Sequence, residues 1–143
     1  MRFEIPFYGH KNIRALHPKT IEITTEPHLT LNGNCIVGVK ASCGCNEIPE
    51  QMKSLLQNSK SDVLCTIIVN DLSFKVKAKG NDKLTLTNPH GIVIRKSSFV
   101  CPRTLATSCD AASDAIPRKI VKLLQDPDRK GVFIIEASEK SFL

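Results

Sequence analysis

The chain has 143 residues, of which 41% are hydrophobic and 24% charged, and this is the composition of one ordinary globular domain that can bury a core without metal or disulfide support. The net charge of +6 can attract an anionic partner such as phosphate, nucleic acid or an acidic protein, and the alternative for the lysines is a solvated face that keeps an edge strand soluble. No apolar run approaches the roughly 20 residues of a membrane span, and the N-terminus carries no signal-peptide or lipidation motif. The expected location is therefore the cytosol.

The first third of the chain favours short strands. Residues 2–8 predict a strand that Pro6 interrupts, which is typical of an edge strand because proline donates no ladder hydrogen bond. Residues 20–25 alternate β-branched and polar side chains and predict a second strand. The turn residues around Gly33 then predict a short hairpin between residues 29–31 and 35–41.

The middle of the chain predicts a helix followed by a hairpin. Asn46 is a candidate helix N-cap, and the helix weakens near Asn58. A two-residue turn at Asn70 and Asp71 fixes the register of a hairpin over residues 63–78. In that register four apolar pairs share one face, namely Val69–Leu72, Ile67–Phe74, Cys65–Val76 and Val63–Ala78.

The last part predicts strands at residues 83–87, 91–95 and 131–137, and a helix from Asp110 to about Gln125. Pro117 predicts either a kink in that helix or a helix that begins near it. No internal repeat is evident. The whole chain, residues 1–143, is predicted to be a single α+β domain, a mostly antiparallel curved sheet or small β-barrel with two helices packed on it.

Positive charge concentrates between Asp71 and Arg103, where seven cations and two anions give a net charge of +5. A strand that ends in Arg95 would hold cations and hydroxyls at a fixed place. Guanidinium forks suit phosphate and carboxylate groups, which makes this end of the strand a candidate anion site. The alternative is structural, with Arg95 or Arg103 paired to Asp110 or Glu22. The predicted ligand-binding residues in this cluster are Arg95, Lys96, Ser97, Arg103 and Thr104.

A second polar cluster contains His10, Asn12 and His17. Asn12 is a candidate ligand-binding residue, and the two histidines are candidate catalytic residues if the protein is an enzyme, because imidazole transfers protons near neutral pH. The alternative is that both histidines hydrogen-bond the backbone and hold their turn. A metal site would need a further ligand such as Glu22 or Cys35, and we predict no metal.

The six cysteines are expected to be mostly reduced thiols. Cys43 and Cys45 form the one close pair, and the sequence leaves open whether they bind metal or form a disulfide. The glycine-rich phosphate-binding, dinucleotide, nucleophile-elbow and zinc-protease motifs are absent, so the sequence predicts no cofactor and does not decide whether the protein is an enzyme.

Several segments resemble an uncharacterised archaeal family, the domain of unknown function 371 family. They are GHKNIRALHPKTIEIT at residues 9–24, LTLNGNCIVGV at 29–39, VIRKSSFVCPRTLA at 93–106 and the helix start DAASDAIPRKIV. The resemblance implies a single-domain cytosolic protein of archaeal type and implies no activity. The chain departs from the family pattern at Lys11, where proline is frequent, and at Asp110, where lysine is frequent, and the latter argues against phosphate binding at that helix start.

We therefore expect a non-enzymatic module that binds RNA, DNA or a nucleotide phosphate. The first alternative is a small hydrolase or transferase with a histidine acid or base and arginines that hold the substrate. The second is a protein-interaction subunit whose basic hairpin docks an acidic partner. No membrane partner is expected.

Overall fold

The computed structural model describes residues 1–140, which form eight strands and two seven-residue α-helices. The predicted α+β class is confirmed. In chain order the elements are β1 (Arg2–Tyr8), β2 (Thr20–Thr24), β3 (Ile36–Gly38), α1 (Glu50–Leu56), β4 (Asp62–Val69), β5 (Leu72–Lys79), β6 (Gly91–Arg95), β7 (Thr104–Ala106), α2 (Arg118–Leu124) and β8 (Lys130–Ser138).

The strands form two four-stranded sheets. The first has the order β1-β8-β4-β5 and is antiparallel throughout, and the second has the order β3-β2-β6-β7. In the second sheet β2 and β6 pair antiparallel at the centre, and each pairs parallel with its outer neighbour. Within residues 1–140 the strands therefore make two sheets rather than a closed barrel, and single backbone bridges join their edges at Tyr8–Val39 and Lys79–Thr107.

The β4–β5 hairpin has the predicted register, with Val69 opposite Leu72 and Val63 opposite Ala78. The alternation of apolar and polar side chains is strict on β5 and specifies this register, because a slip of one residue would turn its apolar set to solvent. Val63, Cys65, Ile67 and Val69 are all buried in the core that lies between the sheets and under the helices.

The chain contains an internal repeat. If every strand is replaced by its counterpart in the other half of the chain, the strand order of both sheets stays the same. The first unit contains β1, β2, β3, α1 and β4, and the second contains β5, β6, β7, α2 and β8. A three-residue 3-10 helix and a proline precede the α-helix in both units. The expectation that the chain has no repeat was therefore wrong.

Rare backbone conformations confirm the correspondence of the two units. Ala15 and Leu86, at equivalent places before β2 and β6, have φ of 50° and 54°. Lys40 and Ser108, which lie two residues after β3 and β7, have φ of 52° and 55°. Positive φ is uncommon for residues other than glycine, so its recurrence at paired positions is unlikely to arise by chance.

Two predicted strands are wrong. Residues 29–31 and 35–41 do not form a hairpin, because only Ile36–Gly38 is a strand and it pairs parallel with β2 instead. Residues 83–87 form no strand, because the positive φ of Leu86 bends the chain there while Leu84 and Leu86 still bury their side chains. The alternation of apolar residues in this segment reflects burial along an irregular loop.

Both helices begin later than the sequence predicts. Proline residues Pro49 and Pro117 occupy their N-cap positions, with extended backbone that no helix can continue through. The alternative that the second helix begins near Pro117 is therefore confirmed, and the segment from Asp110 to that proline holds the short 3-10 helix instead.

One large side chain breaks the symmetry of the core. The Phe7 ring is fully buried and fills space beside Gly38 and Gly131, where an added Cβ would overlap the ring. In the other unit the equivalent positions hold Ala78, Ala106 and Val63. The two units thus divide a similar core volume differently.

Candidate functional site

The two predicted arginines lie on the outer face of the second sheet. Ile21 and Ile23 of β2, like Ile92 and Ile94 of β6, belong to the core, so the residues between them face the other way. Glu22 lies opposite Val93 at the centre of this face, and Thr20 lies opposite Arg95 at one end. We call this surface the arginine face and define it by Glu22, Cys35, Arg95, Cys101, Arg103 and Thr104.

Arg95 ends β6 and is half-buried. Its Nε donates to the Thr104 hydroxyl at 3.0 Å, its Nη2 donates to the Cys101 sulfur at 3.3 Å, and its guanidinium lies 5.0 Å from the centre of the Phe99 ring. Among residues 1–140 no carboxylate forms a salt bridge with Arg95, although Glu22 is near enough to interact with it electrostatically. The side chain is therefore held in one orientation by neutral groups and retains its full charge.

Thr104 positions this arginine. It is fully buried, and its hydroxyl oxygen accepts hydrogen bonds from Arg95 Nε and from the backbone N–H of Cys101 at 3.1 Å. Because these contacts occupy the hydroxyl inside the protein, Thr104 orients Arg95 and offers no surface of its own to a ligand.

Cys101 is a feature that the sequence did not single out. Partial burial alone would raise its pKa, but hydrogen bonds from the Thr104 hydroxyl, the backbone N–H of Arg103 and the Arg95 guanidinium lower the pKa of Cys101 below the ordinary thiol value. Arg103 and Thr104 follow Cys101 closely in the chain, whereas Arg95 reaches it from the end of β6.

Arg103 has the acidic neighbour that the structural alternative named. Its Nη1 lies 3.8 Å from Glu22 Oε2, and the arginine side chain is 48% exposed while that of Glu22 is 9% exposed. Burial raises the pKa of Glu22, although Arg103 opposes this effect. The contact is too long for a hydrogen bond, so Arg103 keeps donors free towards solvent.

The two repeat units differ on this face. Where the second unit has Arg95 and Arg103, the first has Thr24 and Cys35 at the equivalent positions. Both units form the same pair of strands, so neither arginine is required by the local fold. The cationic character of this face belongs to one unit only.

The histidines hold turns. The Nδ1 atom of His17 accepts hydrogen bonds from the backbone N–H groups of Lys19 and Thr20 at 3.1 and 3.2 Å. At the equivalent place the Oδ1 atom of Asn88 accepts from the next turn's two N–H groups at 2.9 and 2.8 Å. Since Nδ1 is an acceptor, the neutral ring of His17 carries its proton on Nε2.

His10 repeats this arrangement. Its Nδ1 accepts from the backbone N–H of Asn12 at 3.0 Å, as Asn81 Oδ1 accepts from Lys83 at 2.9 Å in the second unit. The backbone N–H of His10 binds Leu124 O at the end of α2. The Asn12 amide donates to the Leu29 carbonyl at 2.7 Å. His17 therefore lies near the strand pair that contains Arg95, whereas His10 and Asn12 are anchored by other segments.

Four exposed residues, 96–99, follow Arg95 on the loop that leads to β7. Lys96 is exposed, and its backbone N–H donates to Lys19 O at 3.0 Å, which places two lysines at this end of the sheet. Ser97 is exposed and accepts the backbone N–H of Phe99 at 3.3 Å. Phe99 is 59% exposed despite its large apolar ring. Phe99 was not predicted as a site residue. A large apolar residue directly after Lys96, Ser97 and Ser98 could have indicated an exposed ring.

The cysteine pair shows no metal geometry. Burial raises the pKa of Cys45 to about 12, and its thiol donates to the Arg103 carbonyl at 3.3 Å. All six cysteines are free thiols. Within residues 1–140 no group of three or more histidine, cysteine or acidic side chains is arranged to hold a metal ion.

Comparison with known proteins shows a family match and a similar archaeal protein. The model of the family described as a domain of unknown function, DUF371, matches residues 5–138. The uncharacterized protein MJ0206 of Methanocaldococcus jannaschii is 38% identical over 126 residues, which cover 88% of this chain and 93% of that protein. Neither α-helix of residues 1–140 has the length and apolar character to cross a bilayer.

Proposed function

Because the chain belongs to the DUF371 family, described as a domain of unknown function, we propose its function from the arginine face: it binds the phosphates of single-stranded nucleic acid. The observation that carries the proposal is the unneutralised guanidinium of Arg95, fixed by Thr104 and Cys101 beside an exposed aromatic ring. A cation held in this way loses little side-chain entropy when a phosphate binds.

Further cations extend this binding surface. Arg103 is half-exposed and has only a long contact with Glu22, and Lys19 and Lys96 lie together beyond the end of β6. These groups follow one side of the sheet, so they match a chain of successive phosphates better than one isolated anion. Electrostatic binding of this kind depends strongly on salt concentration.

Phe99 favours an unpaired base over a duplex. One face of its ring lies against the Arg95 guanidinium, and the side chain is 59% exposed. Base–aromatic stacking contributes about 1–3 kcal/mol per base in single-strand binding proteins. A base that stacks on Phe99 would bring its neighbouring phosphate close to Arg95. The proposal accordingly places the protein in the cytoplasm, where RNA and nucleotides are available.

Fluorescence anisotropy with a labelled 12-nucleotide single-stranded RNA tests the proposal at several salt concentrations. We expect Arg95→Ala to weaken binding and to reduce the salt slope by about 0.7, the value for one phosphate contact on a single strand. Phe99→Ala should weaken binding about fivefold or more with an unchanged slope. Single-stranded DNA of the same sequence, a double-stranded form of that sequence and ATP are measured in the same assay, to compare their affinities with that of the single-stranded RNA.

Lys60→Ala is the matched control, because Lys60 is an exposed lysine of the first unit and the substitution changes the net charge by the same amount. It should leave the affinity nearly unchanged. If the RNA does not bind at low salt, or if Lys60→Ala and Arg95→Ala have equal effects, the arginine face is not the binding site.

The alternative functions have weaker support. The Nδ1 atoms of His10 and His17 are occupied in turns that asparagine forms equally well in the second unit, so neither histidine has a contact that indicates proton transfer. The basic hairpin has exposed lysines on β5, and one of them, Lys79, already forms an ion pair with Asp62 of the neighbouring strand.

A further inference from the structure

A groove of about 400 Å³ lies beside α2, and none of its lining residues belongs to the arginine face. It is lined by Leu72, Lys119, Lys122, Leu123, Asp126 and Arg129. Its volume falls in the range of sites that hold small molecules. Three of its six lining residues are cations and one is an anion, while the two leucines provide apolar walls.

Arg129 is incompletely bonded in this groove. Its Nη1 donates to Asn70 Oδ1 at 3.3 Å, and its Nη2 lies 3.8 Å from Asp126 Oδ2. Its Nε is buried and has no hydrogen-bond partner. The Nε group is out of reach of a ligand, but the contacts of Nη1 and Nη2 are long, so these two groups can still donate hydrogen bonds to an anion that enters the groove.

The first repeat unit provides an internal comparison. The positions equivalent to Lys119, Lys122 and Arg129 hold Gln51, Ser54 and Ser61, and Leu123 corresponds to Leu55. The apolar residue is thus common to both units, whereas all three cations occur beside α2 only. Since α1 forms the same seven-residue helix without them, helix formation does not require these charges.

We propose that the α2 groove binds a small organic phosphate, with Lys119, Lys122 and Arg129 holding the phosphate and the two leucines contacting the organic part. This site is separate from the nucleic-acid site and does not depend on it. A phosphate fits because it presents several acceptor oxygens to cations that approach from a helix and from the loop before β8.

Isothermal titration calorimetry with ATP, pyrophosphate and adenosine tests the proposal. We expect ATP to bind, pyrophosphate to bind more weakly and adenosine not to bind at comparable concentration. Amide chemical shifts of Leu72 and Leu123 should change on addition of ATP. The variant Lys119→Gln/Lys122→Ser introduces the residues that the first unit has, so its fold should be retained, and it should bind ATP at least about tenfold more weakly.

Arg95→Ala distinguishes the two proposed sites, because it should leave ATP binding in the groove unchanged while it weakens RNA binding. The groove proposal is refuted if ATP and pyrophosphate do not bind at millimolar concentration, if adenosine binds as well as ATP, or if the double lysine variant binds ATP with wild-type affinity. Loss of ATP binding in Arg95→Ala with no effect of the lysine substitutions would also refute it.

Discussion

The two units fill equivalent core space with different side chains, Phe7 beside two glycines in one and three smaller side chains in the other. This difference allows a quantitative prediction about core packing. Replacing this fully buried ring by alanine removes six carbon atoms from the core, and Phe→Ala substitutions of this kind typically cost about 3–5 kcal/mol. The other unit fills the equivalent space with Ala78, Ala106 and Val63. Phe7→Ala should therefore be rescued by Gly38→Ala and Gly131→Val, which copy that arrangement.

The magnitude of the rescue follows from the atoms that are restored. The two glycine substitutions return four of the six carbons, worth about 3 kcal/mol at roughly 0.8 kcal/mol per buried methylene. They also reduce the freedom of the unfolded chain, since neither glycine has positive φ. The triple variant should then lie within about 1 kcal/mol of wild type. Urea denaturation with a common m-value measures each free energy of unfolding.

The single substitution Gly38→Ala provides the sharper test. With Phe7 present its Cβ overlaps the ring, so we expect a loss of about 1–3 kcal/mol, whereas in the Phe7→Ala background the same change should stabilise. The sign of its effect must therefore reverse. Equal effects in both backgrounds, or a triple variant no more stable than Phe7→Ala, would show that the two units do not pack equivalently.

Three further predictions concern the polar residues. Because its pKa is lowered, Cys101 should be the cysteine that iodoacetamide alkylates fastest near neutral pH, and Arg95→Ala should slow it, as peptide mass spectrometry can show. Burial raises the pKa of Glu22 above its unfolded value, so its contribution to stability is present in acid and is lost as the pH rises through the folded-state pKa. Glu22→Gln should remove this loss, so at neutral pH denaturant titrations should give the variant a higher free energy of unfolding than the wild-type protein. A lower free energy of unfolding for the variant would contradict the argument. His17→Asn should melt close to wild type because Asn88 performs the same task, whereas His17→Ala should lose about 1 kcal/mol.

Local sequence patterns determined the elements that could be predicted. The β4–β5 hairpin has a short turn and strict alternation, so neighbouring residues specify its register. The parallel pairing of β2 with β3 depends on a connection over residues 25–35, and nothing in those residues encodes a partner strand. The segment 83–87 alternates as a strand does, but the conformation of Leu86 is imposed by the turn before β6. Tertiary context overrode local preference in both places.

The candidate site was predicted only in part for a similar reason. Arg95 and Arg103 were found because a buried strand that ends in cations is visible in the sequence. The contacts that hold Arg95 come from Cys101 and Thr104; Thr104 was predicted as a ligand-binding residue and instead orients the arginine, and Cys101 was not predicted at all. His10 and His17 were predicted as candidate catalytic residues because histidine is ionisable near neutral pH. In the structure their Nδ1 atoms accept backbone hydrogen bonds, as the side-chain oxygen of asparagine does in the other unit.

The internal repeat separates what the fold needs from what it does not. Each strand, helix and turn of one unit has a counterpart in the other, and different residues can meet the same need, as His17 and Asn88 show. A feature present in both units is therefore explained by folding. Arg95 in place of Thr24, and Lys119 in place of Gln51, have no such explanation because the same strand and the same helix form without them. Charge confined to one unit is where selection for binding an anion would be visible, and both arginines of the arginine face and all three cations of the α2 groove belong to the second unit.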